Sequence, residues 1–284
     1  NIPSPASKWY TVLGERILIT IWALLVPEYI IAWAIRQWIV ARQISKEFNK
    51  LQPRSDSLTV HLAWTVTHGF FVLMGGFYFE GDGPQHPISR EDLAAIITKT
   101  QLELLKEADI NDKSKGDGFS KTVTVIQTLW FVAQCLARAI QGLTITKLEI
   151  VTLAYTAISM AMYYFWWSKP LSVNRPIWLK RVAGLESHPS VSSGSPSNTA
   201  EVGWSARIKT FVQAVVGTQD DEVHLSELRQ VPTFYAGKPE EHHVLVADAI
   251  ALAFAMVFGA VHCIAWSFAF PSRAEKLLWR ISAV

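Results

Sequence analysis

The chain has 284 residues, 50% of them hydrophobic and only 18% charged, with a net charge of +2. Average soluble domains carry about 25% charged residues, and so small a net charge without a basic stripe excludes a nucleic-acid binder. The two cysteines, Cys135 and Cys263, both lie in apolar stretches and exclude a disulfide framework.

Five apolar stretches dominate the chain: residues 17–40, 58–79, 122–143, 148–167 and 244–268. A bilayer core about 30 Å thick takes a helix of about 20 residues. The lengths predict an all-α polytopic transmembrane helical bundle of about five spans, embedded in a lipid bilayer, with polar inserts at 80–121 and 168–243. Trp9, Trp38, Trp166, Trp167, Trp178 and Trp279 sit near stretch ends, as expected of aromatic belts.

Pro27 interrupts the first stretch and predicts a kink. A basic segment follows, with Arg42, Lys46, Lys50 and Arg54. The second stretch is the weakest span, rich in Thr, Gly and His, and a re-entrant path is its alternative. In the first insert, Ser89-Arg-Glu-Asp92 resembles a capping box and predicts a solvent-side helix over LAAIITKTQLELLKEA, with DINDKSKGDGFSK as a polar loop. About four residues separate the third and fourth stretches, which predicts an antiparallel hairpin. In the second insert, HPSVSSGSPSNTAE reads as disordered and residues 204–216 as an amphipathic surface helix. The start at Asn1 and the final LLWRISAV read as cuts in a longer protein. The positive-inside rule leaves orientation open. Five spans place Lys169, Arg175, Lys180 and Arg181 opposite the first basic segment, whereas a re-entrant second stretch transfers that conflict to Arg273, Lys276 and Arg280.

Residues three, four, seven or eleven apart share a helix face. By that test Gln127, Gln134, Arg138 and Gln141 fall together, as do His61 and His68, and Asp248 and His262; Glu28 follows Pro27. Intramembrane charges normally turn inward and find partners, so Glu28 and Asp248 are expected as partners for Arg138. Gln and Thr stripes also serve simply to join membrane helices. His61 and His68 are a metal or haem pair only with further ligands, and satisfied core histidines are the commoner case. The run EEHHVLVAD, with His224 upstream, gathers possible metal ligands, but adjacent helical histidines point about 100° apart. GDGFSKT fails the phosphate-loop spacing, and DINDKSKGDG places Lys113 and Ser114 where an EF-hand needs an oxygen ligand and a glycine. No catalytic motif appears, and neither a metal nor a cofactor is assigned.

The strings PEYIIAWAIRQWIVARQISKEF, WTVTHGFFVLMGGFYF, DKSKGDGFSK, QTLWFVAQCLARAIQGL, LEIVTLAYTAISMAMYYFWWSKP and VHCIAWSFAFPSRAEKLLWRIS resemble a large family of uncharacterised polytopic membrane proteins encoded in fungal genomes. That resemblance implies further hydrophobic segments beyond both ends and carries over no site residue. The resulting expectation is a membrane protein that passes a small solute or ion through a polar intrahelical site. Glu28, His61, His68, Gln134, Arg138, Asp248 and His262 are its candidate binding residues. A membrane-embedded enzyme acting on a lipid or isoprenoid is the alternative.

Overall fold

Pro27 lacks an N–H, so a helix cannot run unbroken through the first apolar stretch. In the computed structural model α1 (Trp9–Leu25) and α2 (Pro27–Leu51) meet at a bend of 114°. Pro27 becomes the first residue of a new helix, where its missing donor costs nothing. The expected kink is therefore a break. The structure describes residues 1–4, 7–51, 63–80, 86–100, 107–114, 118–173, 175–180, 220 and 223–283. Their contacts divide the chain into two compact units.

The polar unit comprises Asn1–Glu15, Gln37–Lys115 and Ser168–Glu240. Val40, Ala41, Ile44 and Phe48 recur at helical spacing on α2 and are fully buried. α3 (Val66–Leu73) crosses them so closely that a Cβ on Gly69 would lie 2.1 Å from the Ala41 carbonyl oxygen. Gly75, at a φ of +76°, then turns the chain out of the helix. The Gly76 N–H closes that end by donating to Phe71 O at 2.8 Å. Strand β1 (Phe77–Glu80) follows. α4 (Arg90–Thr100) buries Leu93, Ile96 and Ile97, and α5 (Glu107–Lys113) buries Ile110 against α3. Strand β2 (Ile177–Lys180) pairs with β1 in parallel, Phe77 opposite Ile177.

Among the described residues the apolar run at 58–79 forms no helix of span length. Its described part is one short helix and one strand, whose Phe70, Phe71, Phe77 and Tyr78 are buried in protein. The two predicted inserts do not stand apart from the apolar run either, since β1, α4, α5 and β2 share its unit. Ser89 caps α4 as expected, its Oγ accepting the Asp92 N–H at 3.1 Å. The predicted loop at 109–121 is helical through Lys113 and again from Gly118. The segments at 188–201 and 204–216 lie outside the described residues.

The apolar unit comprises Arg16–Arg36, Gly116–Trp167 and Glu241–Val284. α6 (Gly118–Ile140) and α7 (Lys147–Phe165) form the expected hairpin, with Gly142 at a φ of +68° in the turn. α8 (Glu241–Cys263) lies along α7 and runs on as a 3-10 turn over Ile264–Ser267. Ala154 on α7 and Ala247 and Ala251 on α8 are buried, the small-residue contact that lets apolar helices approach closely. The Tyr155 ring meets Phe258 edge-on at 5.2 Å, and its hydroxyl donates to Leu24 O at 2.5 Å. α9 (Arg273–Ala283) folds back so that Trp279 Nε1 donates to His262 O at 3.1 Å. Among the described residues three helices are long and apolar enough to cross a membrane: Phe119–Ile140, Lys147–Phe165 and the extended α8. The bent α1–α2 pair makes a fourth if counted as one span, against the five expected.

Candidate functional site

Two ion pairs join charged residues of the apolar unit. Arg36, with a side chain only 5% exposed, donates to Asp248 Oδ1 at 2.5 Å, while the Asp248 side chain is 44% exposed. Arg138 donates to Glu149 Oε1 at 2.6 Å and to Thr144 O at 3.0 Å. The expected pairing of Arg138 with Glu28 or Asp248 is therefore corrected. Arg138 lies in the last turn of α6, where a cation favours the helix end, and Glu149 lies in the first turn of α7 just across the hairpin. Glu149 also completes the α7 capping box, its Oε2 accepting the Thr146 N–H at 2.7 Å.

The other candidates are placed separately. Glu28 occupies the first turn of α2, where a carboxylate suits the positive helix end. His262 Nδ1–H donates to Phe258 O, one turn back, at 2.8 Å; the acceptor dictates that tautomer. Its ring contacts Phe258 and Trp279. Gln127 and Gln134 are exposed on α6, as is Gln141 just beyond its end, so the third stretch turns its glutamines outward. His68 belongs to the polar unit and not to a span: it is 1% exposed, and its Nδ1 accepts the Thr65 N–H at 3.2 Å, capping α3. His61 lies outside the described residues, so its pairing with His68 does too. At the start of α8 the His242 and His243 rings lie 3.7 Å apart, closer than an ideal helix projects adjacent side chains.

The polar unit contains a cavity of about 460 Å³ that sequence reasoning missed. α2 contributes Ile44, α3 contributes Val72 and Leu73, and β1 contributes Phe79. Ile88, Val223 and Leu225 extend this apolar lining. His86, Arg90, Glu91, Asp92, His224, Tyr235 and Lys238 supply polar and charged groups. Glu47 holds Arg90 through both Nε, at 2.9 Å, and Nη2. The Ser89 hydroxyl, engaged as the α4 cap, donates to Asp92 Oδ2 at 2.9 Å.

Buried polar groups fix the wall that carries Tyr235. Asp220 accepts the Ala236 N–H at 3.0 Å. Gln37, fully buried, donates through Nε2 to Tyr235 O at 2.8 Å and accepts at Oε1 from Lys169 Nζ at 2.8 Å. Gly237, at a φ of +87°, passes so close to Leu73 that a Cβ would meet its Cδ2 at 2.3 Å. Burial raises the Tyr235 phenol well above its usual range, and the negative charges of Asp220 and Glu91 add to that, so it lines the cavity as a neutral group. Burial likewise pushes Tyr78 up to about 12 and Lys169 down to about 7. Such a cavity suits a small molecule with an apolar body and a polar head. The only foreshadowing in the sequence was the Ser89–Asp92 cap; residues 44, 72–79, 86–92 and 223–238 carry no motif that brings them together.

Fold and site thus define a helical protein with several bilayer-length apolar helices and a cavity-bearing polar unit. The chain belongs to a family of unknown function (DUF8562), whose model matches residues 1–192. No curated protein and no solved structure matches it. The matched segment includes α1 through β2 and stops short of residues 223–238, which complete the cavity.

Proposed function

We propose that the protein is a multi-pass integral membrane protein whose polar unit binds a small amphiphilic solute, and that it is one of the fungal proteins it resembles. The observation that carries the binding reading is the cavity of about 460 Å³, whose lining combines apolar side chains such as Ile44, Val72 and Leu73 with His86, Glu91, His224 and Lys238. The helices Phe119–Ile140, Lys147–Phe165 and Glu241–Ser267 support the membrane reading by length and composition. A solute path through the spans has less support, because Arg36, Asp248, Arg138 and Glu149 are already engaged with one another.

Leu225→Trp fills the cavity and tests this reading. A panel of medium-chain carboxylates, amines and zwitterions is added to the detergent-purified protein during thermal unfolding. At least one compound is expected to raise the Tm of the wild type and leave that of the filled variant unchanged. If no compound separates the two proteins, the binding reading falls.

A further inference from the structure

α6 presents a polar seam on a helix of bilayer length. Gln127, Gln134 and Gln141 recur every seventh residue, and Trp130 and Ala137 each follow a glutamine by three. All five are exposed, Gln141 lying one residue past the end of α6, and the three glutamine amides make no side-chain hydrogen bond among the described residues. Seven residues fall 20° short of two full turns, so the seam winds slowly around the helix, as in a left-handed helix pair. Ile126, Leu129, Leu136 and Ile140 expose the apolar surface elsewhere on α6 that hydrocarbon accepts.

An amide facing hydrocarbon loses its hydrogen bonds to water and is strongly disfavoured unless another polar group meets it. A primary amide is both donor and acceptor, so an identical stripe meets it reciprocally, each amide donating one N–H to the other's oxygen. Two copies inserted with the same topology present α6 in parallel, and a two-fold axis along the seam brings each glutamine opposite its own counterpart. We propose that this face of α6 is where a second copy of the chain docks within the membrane, joined through Gln127 and Gln134 with Trp130 and Ala137 packed between them. The inference rests on the reading of α6 as a membrane span.

Single-cysteine chains in a Cys135→Ala/Cys263→Ser background test it in intact membranes. Under copper phenanthroline, Gln127→Cys and Gln134→Cys are expected to give disulfide dimers. Leu129→Cys and Leu136→Cys, about half a turn away, are expected to stay monomeric. Energy transfer between labelled copies is expected to show about tenfold weaker association for Gln127→Leu/Gln134→Leu, roughly threefold for each hydrogen-bonded pair removed. Equal cross-linking from both sides, unchanged association of the leucine variant, or cysteines at 127 and 134 shielded from maleimide in a monomer would each overturn the proposal. Alkaline carbonate separates the two levels: release of the chain removes the membrane reading and this inference with it, whereas a retained chain without glutamine-face dimers removes only the inference.

Discussion

Replacing Lys169 by Met probes the buried electrostatics of the polar unit directly. Lys169 donates to the fully buried Gln37, and burial pushes its pKa from 10.5 to about 7. The unfolded chain titrates near 10.5. Between pH 7 and 10.5 it therefore binds a proton that the folded protein does not, so folding stability rises with pH through that window. Below pH 7 both states are protonated, and the folded state bears the whole cost of burying the charge. At about 1.4 kcal/mol per pH unit this cost is about 5 kcal/mol, on the order of a whole domain's stability. Met keeps the length of the side chain and removes the amine. Denaturant unfolding in detergent, compared between the two proteins, cancels every other titrating group. The wild type is expected to gain about 2–3 kcal/mol on the variant from pH 7.5 to 9.5. The variant is expected to be the more stable protein at pH 7. A difference between the two that stays constant across this range would refute the burial argument.

Gly69→Ala is expected to destabilise the polar unit by about 2 kcal/mol net. The clash with the Ala41 carbonyl outweighs the roughly 1 kcal/mol that alanine gains within a helix. Gly14→Ala on α1, where nothing lies within 4 Å, is expected to stabilise slightly, and thermal unfolding of the two variants gives the contrast. Thr146→Ala removes the α7 cap and is expected to cost about 1 kcal/mol, visible as earlier thermal loss of helical circular dichroism. A double-mutant cycle of Arg36→Met with Asp248→Asn is expected to yield a coupling of about 1–2 kcal/mol; additive effects would remove that contact from the account.

Elements governed by local chemistry were legible in the sequence. Pro27 marked the break before α2, Ser89 marked the start of α4, and the short link before Lys147 marked the hairpin. The three remaining bilayer-length helices coincide with the apolar stretches at 122–143, 148–167 and 244–268. Length and apolarity failed at 58–79, because a chain buried in protein and one buried in lipid have the same composition. Gly75 and Gly76 carried the distinguishing signal: they end α3 after eight residues, far short of a span. Face periodicity grouped polar residues within each helix but was silent about neighbours, so Arg138 was assigned to distant carboxylates when Glu149 stood across the turn. The cavity was illegible for a different reason. Ile44, Val72, His86 and Tyr235 come from separate segments, and only the tertiary fold makes them a wall.

The parallel ladder between Phe77 and Ile177 constrains both biogenesis and topology. Its second strand emerges from the ribosome only after α6 and α7 have been synthesised, so this small sheet cannot close until both apolar helices exist. The first half of the sheet must wait, a long-range closure of the kind that slows folding. Hydrogen-bonded strands also share one side of any bilayer. On the proposed membrane reading the chain between them crosses an even number of times, a condition that two crossings by the α6–α7 hairpin would meet. On that reading, an insertion or deletion that removed one of those helices would strand β2 on the far side and leave β1 with an open edge.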